Sequence, residues 1–124
     1  LGEYITGLKG RKIIYTNASA RHTELVLSQM EFKKSTFEAI FDIQAANYVP
    51  KPAIESYRLL CETYSIDPTR AAMIDDIAGN LKPAAELGMM TVWKKTNAEW
   101  AKNMEAEIYI DYVVDDLKDW LGSI

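Results

Sequence analysis

Four positions in this 124-residue sequence carry side chains that together suit the chemistry of a phosphate ester: a hydroxyl at Thr16, an ammonium at Lys51 and adjacent carboxylates at Asp75 and Asp76. A hydroxyl can donate to a phosphoryl oxygen, a lysine can neutralise its charge, and a carboxylate can hold a Mg²⁺ ion against the same oxygens. Singly, each group has a plainer use. Thr-Asn after an apolar run is commonly a turn and helix cap, paired aspartates before a helix serve as caps and dipole partners, and a lone lysine is ordinarily a solvated surface group. The order hydroxyl, ammonium, acidic pair is what carries weight.

For these groups to meet, the chain must bring distant segments to one edge. Short apolar runs precede polar clusters and then helical patterns at Ile13-Ile14-Tyr15 before Thr16-Asn17, at Ala71-Ala72-Met73-Ile74 before Asp75-Asp76, and at Tyr112-Val113-Val114 before Asp115-Asp116. That rhythm predicts strand, turn and helix. Arg21 to Met30 reads as a helix capped from the Thr16-Asn17-Ala18-Ser19 stretch, with Leu25, Val26 and Met30 on a face expected to cover a sheet. Ile54, Tyr57, Leu60, Cys61 and Tyr64 follow the 3.6-residue period, which predicts a helix over 53–64 with Pro52 in its first turn. Asp67-Pro68-Thr69 is a turn. Leu81 to Leu87 is a short helix ended by Gly88, Met90 to Trp93 a further strand, and Leu117 to Leu121 a terminal helix for which Asp115-Asp116 act as cap. Alternating strands and helices predict an α/β, Rossmann-like three-layer fold, a parallel sheet flanked by helices. In such sheets ligands bind outside the carboxyl ends of the strands, where Thr16 and Asp75-Asp76 fall and which Lys51 can reach from the loop Asn47 to Pro50.

The composition is that of one ordinary globular domain, 48% hydrophobic and 26% charged. A formal charge of −4 disfavours long nucleic acid as a partner, because such binding depends on clustered Lys and Arg. A single cysteine, Cys61, excludes an internal disulfide and suits a small core side chain in a reducing cytoplasm. No apolar run approaches the roughly 20 residues that span a bilayer, so no membrane partner is expected. No basic stretch accompanies Trp93, Trp100 and Trp120, which read as packing groups, and His22 reads as a helix-start side chain.

The residues above resemble three motifs of the haloacid dehalogenase (HAD) superfamily. Ile13 to Asn17 resembles its motif II, Lys51-Pro52 with Tyr57 in the following helix its motif III, and Met73 to Leu81, reading Met-Ile-Asp-Asp-Ile-Ala-Gly-Asn-Leu, its double-aspartate motif IV. The pattern is most similar to pyrimidine 5'-nucleotidases and related small phosphatases, and motif IV also to the phosphatase domain of soluble epoxide hydrolases. The resemblance implies that Thr16 and Lys51 are catalytic groups that bind the transferring phosphoryl group, with Asn17 beside it. It also implies that Asp76 contacts Mg²⁺, that Asp75 is a weaker or indirect ligand, and that Asn80 orients the site. The implied substrate is a small phosphorylated metabolite such as a pyrimidine nucleoside 5'-monophosphate.

The family's first motif, Asp-x-Asp on a central strand, has no counterpart upstream of Thr16, where Glu3 is the only carboxylate. Without it there is neither nucleophile nor general acid and base. The sequence is therefore expected to be the C-terminal portion of a HAD-like core domain over 1–124, incomplete and without a cap domain, inactive alone, with a slot beside the Ile13 strand for an N-terminal segment of the same protein. The alternative is a non-catalytic HAD-like binding or assembly module. A response-regulator receiver would present its acidic pair first, and Asp76 favours the metal-using branch over dehalogenation.

Overall fold

The computed structural model describes residues 5, 8–32, 34–95 and 108–123. Its strands are β1 (Ile13–Tyr15), β2 (Ala39–Phe41), β3 (Ala72–Asp75), β4 (Met90–Lys94) and β5 (Tyr112–Val114). Its helices are α1 (Ala20–Gln29), α2 (Ile54–Tyr64), α3 (Leu81–Glu86) and α4 (Leu117–Ser123), with 3₁₀ turns at Lys34–Thr36, Pro68–Arg70 and Ala78–Asn80. The strand-turn-helix rhythm is present at all three predicted places. Glu3 and Trp100 lie outside the described residues.

The architecture is α/β with parallel strands, but the sheet is in two pieces. β1 pairs with β2, Ile14 opposite Ile40, and β3-β4-β5 form a second sheet with Ile74 opposite Val92 and Trp93 opposite Val113. Among the described residues, β1 and β3 each keep one unpaired edge. β2 was not expected. Ala39-Ile40-Phe41 is a run of three residues that ends in Asp42, a fourth instance of the same rhythm, and so short a run carries little period of its own.

α2 ties the two sheets together. Tyr57 is fully buried in a cluster with Met73, Ala78, Leu81, Ala84, Met89 and Trp93, while Leu60, one turn on, packs with Phe41 and Ala46; Tyr15 touches both clusters. The Tyr15 ring stands edge-on to Phe41 and Tyr57 at centroid distances of 5.5 and 5.2 Å, a favoured aromatic geometry. α2 starts at Ile54 with Ala53 as its cap, so Pro52 precedes the helix instead of opening its first turn, and the Lys51-Pro52 bond is cis. One residue before it, the main chain of Lys51 is engaged by Asn17 of the loop that follows β1. At the far end Ser65 takes a left-handed conformation and the Ile66 N–H closes on the Cys61 carbonyl. Gly88 ends α3 region as expected, with φ of 99°.

α1 departs from expectation. Ser19 caps it, its hydroxyl accepting from the His22 N–H, yet none of its residues is buried and Leu25 and Met30 are more than half exposed. The sheet it adjoins is two strands of three residues each, too narrow to cover that face. Asp116 caps α4 through the Asp119 N–H, as its sequence context implied. Among the described residues no helix is long and apolar enough to cross a membrane.

Candidate active site

The carboxyl ends of β1 and β3 point to the same side, and Lys51 joins them. Its ammonium donates to the Tyr15 carbonyl, the last residue of β1, at 3.1 Å. It also donates to Asp75 Oδ2, the last residue of β3, at 2.8 Å. The ion pair is almost wholly sequestered, with 9% and 6% of the two side chains exposed. The same ammonium lies 4.9 Å from the centre of the Tyr15 ring, close enough for a cation–π contribution. Sequence segments 36 and 24 residues apart are thus drawn to a single charge.

Asp75 has further donors: Ile77 N–H at 2.8 Å and, more distantly, the Asn80 amide at 3.4 and 3.5 Å. Asn80 is buried, and its own carbonyl accepts from the Tyr57 hydroxyl, which fixes α2 against the Asp75-Asp76 turn. Asp76 is exposed. Partial desolvation, with the Asp75 carboxylate beside it, pushes the Asp76 carboxyl above the usual carboxylate range, and Lys51 offsets part of this. Trp93, buried in the core, holds the Asp76 carbonyl through its indole N–H at 3.1 Å. The turn is therefore anchored from below by an aromatic ring while its second carboxylate faces solvent.

Thr16 follows β1 directly. Its N–H continues the β-ladder to the Phe41 carbonyl, and its hydroxyl oxygen accepts from the Ala18 N–H at 3.0 Å, which leaves the hydroxyl proton to be donated. Asn17 turns its side chain to Lys51: Oδ1 accepts the Lys51 N–H at 2.8 Å, and the amide nitrogen approaches the Lys51 carbonyl at 3.4 Å. Thr16, Lys51, Asp75 and Asp76 are thus gathered at one edge, with Asn17 and Asn80 as neighbours engaged with Lys51 and Asp75.

Two residues that sequence reasoning passed over shape this edge. Asp42, buried at the end of β2, accepts from Ala20 N–H through Oδ2 at 2.9 Å and from Ala45 N–H through Oδ1 at 2.8 Å. These bonds, Ala45 first, hold its carboxyl below the ordinary range. Tyr15 shares a hydroxyl contact with buried Ser56, and its burial raises the phenol to about 12. The signal for Asp42 was its place after a fourth apolar run.

The donor set suits Mg²⁺ in one respect. Mg²⁺ is commonly held by one or two carboxylates, the rest of its octahedron being water and substrate phosphate, and Asp76 with Asp75 behind it supplies such a pair. Among the described residues no group of three or more metal-ligating side chains occurs, so this pair would hold the ion weakly by itself.

Known proteins resemble this chain in sequence and in fold. Bifunctional epoxide hydrolase 2 of Rattus norvegicus is 31% identical over 55 residues, 44% of this chain and 10% of that protein. A HAD family enzyme from Bacteroides thetaiotaomicron, an aspartate-to-alanine mutant in complex with magnesium and inorganic phosphate, superposes with a TM-score of 0.65 at 27% identity, covering 79% of this chain and 53% of that one. L-2-haloacid dehalogenase from Xanthobacter autotrophicus shares the fold with a TM-score of 0.74 at 15% identity, over 98% of this chain and 56% of that one. The chain thus spans about a tenth of the curated relative and a little over half of the solved structures. The family model described as HAD-hydrolase-like matches residues 48–120, which hold Lys51, Asp75, Asp76 and Asn80, and this chain belongs to that family.

Proposed function

We propose that this chain is the C-terminal part of the core domain of a Mg²⁺-dependent phosphomonoester hydrolase acting on a small soluble phosphate, such as a pyrimidine nucleoside 5'-monophosphate. The observation that carries the reading is the gathering of the Thr16 hydroxyl, the Lys51 ammonium and the Asp75-Asp76 pair at the carboxyl ends of β1 and β3. In this reading Thr16 donates to a phosphoryl oxygen and Lys51 uses its remaining N–H for the same group, while Asp75 keeps the ammonium in place. Asp76, with Asp75 behind it, would hold Mg²⁺, which when bound supplies charge neutralisation to the phosphoryl oxygens. The neighbour from Bacteroides thetaiotaomicron, in complex with magnesium and inorganic phosphate, supports this reading, and dehalogenases that share the fold supply the competing one. The nucleophile is proposed to enter on a strand from an upstream segment of the same protein, seated between β1 and β3. The half-buried Cys61, its thiol pushed up by burial, suits a cytoplasmic setting.

The test is expression with the upstream reading frame, followed by release of phosphate from nucleoside 5'-monophosphates and p-nitrophenyl phosphate. Turnover that requires Mg²⁺ and stops with chelator is expected. Halide release from 2-haloacids without metal, or no phosphate release from any monoester, would overturn the reading.

A further inference from the structure

The two loops that carry Thr16 and Lys51 are fastened to each other several times over. Ile43 N–H donates to the Ala18 carbonyl at 3.1 Å and Thr16 N–H to the Phe41 carbonyl at 3.1 Å. Asp42 bridges Ala20, the first residue of α1, and Ala45 of the second loop with one carboxylate oxygen each. These ties bind the first loop to residues 41–45, and none of them reaches residue 51. Between Ala45 and Lys51 the chain passes through Asn47 and Tyr48, both left-handed with φ of 54° and 62°, a conformation that costs non-glycine residues energy and that the surroundings must hold. Among the described residues, the contact from the first loop directly to Lys51 is the Asn17 side chain, which meets the N–H and carbonyl of that residue at 2.8 and 3.4 Å.

Asn17 is exposed, so a net hydrogen bond there adds little to global stability. What it fixes is local. With the main chain of Lys51 held by Asn17 and its ammonium by Tyr15 and Asp75, the lysine is clasped at both ends, and the remaining N–H has a set direction.

We propose that Asn17 is a positioning residue that acts through the main chain of Lys51, aligning its ammonium with the Thr16 hydroxyl, and is not itself a ligand of the anion. The inference rests on the phosphohydrolase reading for the identity of the anion, and on the geometry alone for the clasp.

A double-mutant cycle in the full-length protein separates these roles, because Lys51→Ala removes the ammonium while leaving the N–H and carbonyl that Asn17 grips. Affinity for inorganic phosphate with saturating Mg²⁺ is measured by calorimetry for wild type, Asn17→Ala, Lys51→Ala and the pair. Asn17→Ala is expected to weaken binding on the order of 10-fold when Lys51 is present and to add no loss when it is absent. A loss of equal size in both backgrounds would mean that Asn17 meets the anion itself, and no loss in either would mean that the clasp is idle; both overturn the proposal. A general loss of stability, followed by thermal melting, would act in both backgrounds and cannot imitate dependence on Lys51. The second readout is the Lys51 Cε–Hε signal in lysine-labelled protein, which needs neither phosphate nor the Lys51→Ala chain to fold. Two inequivalent Hε resonances that merge in Asn17→Ala support the clasp, and unchanged resonances overturn it. If wild type binds no phosphate, the functional reading fails while the clasp is still decided by this signal.

Discussion

Lys51→Met is the sharpest perturbation that the structure offers. Methionine keeps the length and hydrocarbon volume of lysine but removes the ammonium that faces Asp75 Oδ2 at 2.8 Å. Asp75, with 6% of its side chain exposed, would retain the Ile77 N–H at 2.8 Å and two long contacts to Asn80. Stranding one member of a buried ion pair costs about 3–5 kcal/mol. At roughly 4 °C per kcal/mol for a domain of this size, Tm should fall by about 12–20 °C. Replacing the whole pair, Lys51→Met with Asp75→Leu, removes both charges from the interior and leaves the Ile77 N–H and, at longer range, the buried Asn80 amide without their acceptor, about 1–3 kcal/mol for such a loss. The double variant should therefore lose less than the Lys51→Met variant. Urea denaturation at neutral pH measures wild type, Lys51→Met, Asp75→Leu and the double variant. If the Lys51→Met loss is below about 1 kcal/mol, as for a solvated surface pair, or if the two single losses simply add, the buried-pair argument is wrong.

Two further outcomes follow from the same edge. Asp42→Ala should cost about 1–2 kcal/mol at neutral pH, the size of a lost helix-capping carboxylate. Because its native carboxyl lies below the ordinary range, the native state binds fewer protons than the unfolded chain; the contribution is present above about pH 4 and is lost as pH falls through the native value. Denaturation curves at stepped pH should show wild type and Asp42→Ala converging in acid, and a constant difference would refute the assignment. On the proposed function, Asp76→Asn in the full-length protein should lower Mg²⁺-dependent phosphate release by more than about 100-fold, since a metal ion contributes several kcal/mol of charge stabilisation. Asp75→Asn, acting through Lys51 and Asn80, should lower it on the order of 10–100-fold; equal, mild losses would make both residues structural.

The parts of this fold that sequence alone revealed are those with period or punctuation. α2 was legible because Ile54, Tyr57, Leu60, Cys61 and Tyr64 share a face, and Gly88 because only a left-handed residue ends a helix that way. Thr16, Lys51 and the aspartates were legible by type and order. β2 was not, because Ala39-Ile40-Phe41 is three residues long and lies between Glu38 and Asp42. The grip of Asn17 on Lys51 was not legible either: it joins positions 34 apart through a main chain, and a main-chain partner leaves no residue type to read. α1 misled in the opposite sense, since its apolar stripe at Leu25, Val26 and Met30 says that something covers it but not that β1 and β2 do.

The division of the sheet bears on all of these. β1 and β3 run in the same sense, since their last residues both reach Lys51, and each leaves an inner row of backbone donors and acceptors without a ladder partner among the described residues. Open edges of this kind are ordinarily covered or paired. Neighbouring strands lie about 4.8 Å apart, so a single intervening strand would set β1 and β3 about 10 Å apart, a span that one lysine head group with a carbonyl on one side and a carboxylate arm on the other can bridge. One parallel strand could therefore satisfy both edges and cover Ile74 and Ile77, each 41% exposed, without moving the residues that hold Lys51. Those residues, Tyr15, Asn17 and Asp75, belong to the two flanking pieces and to no part of the gap. In the proposed function, the phosphate-facing half of the site would be assembled on the loops that follow β1 and β3 and the loop that carries Lys51, and a carboxylate carried to the end of an inserted strand would arrive between Thr16 and Asp76 with the cation that neutralises it already in place.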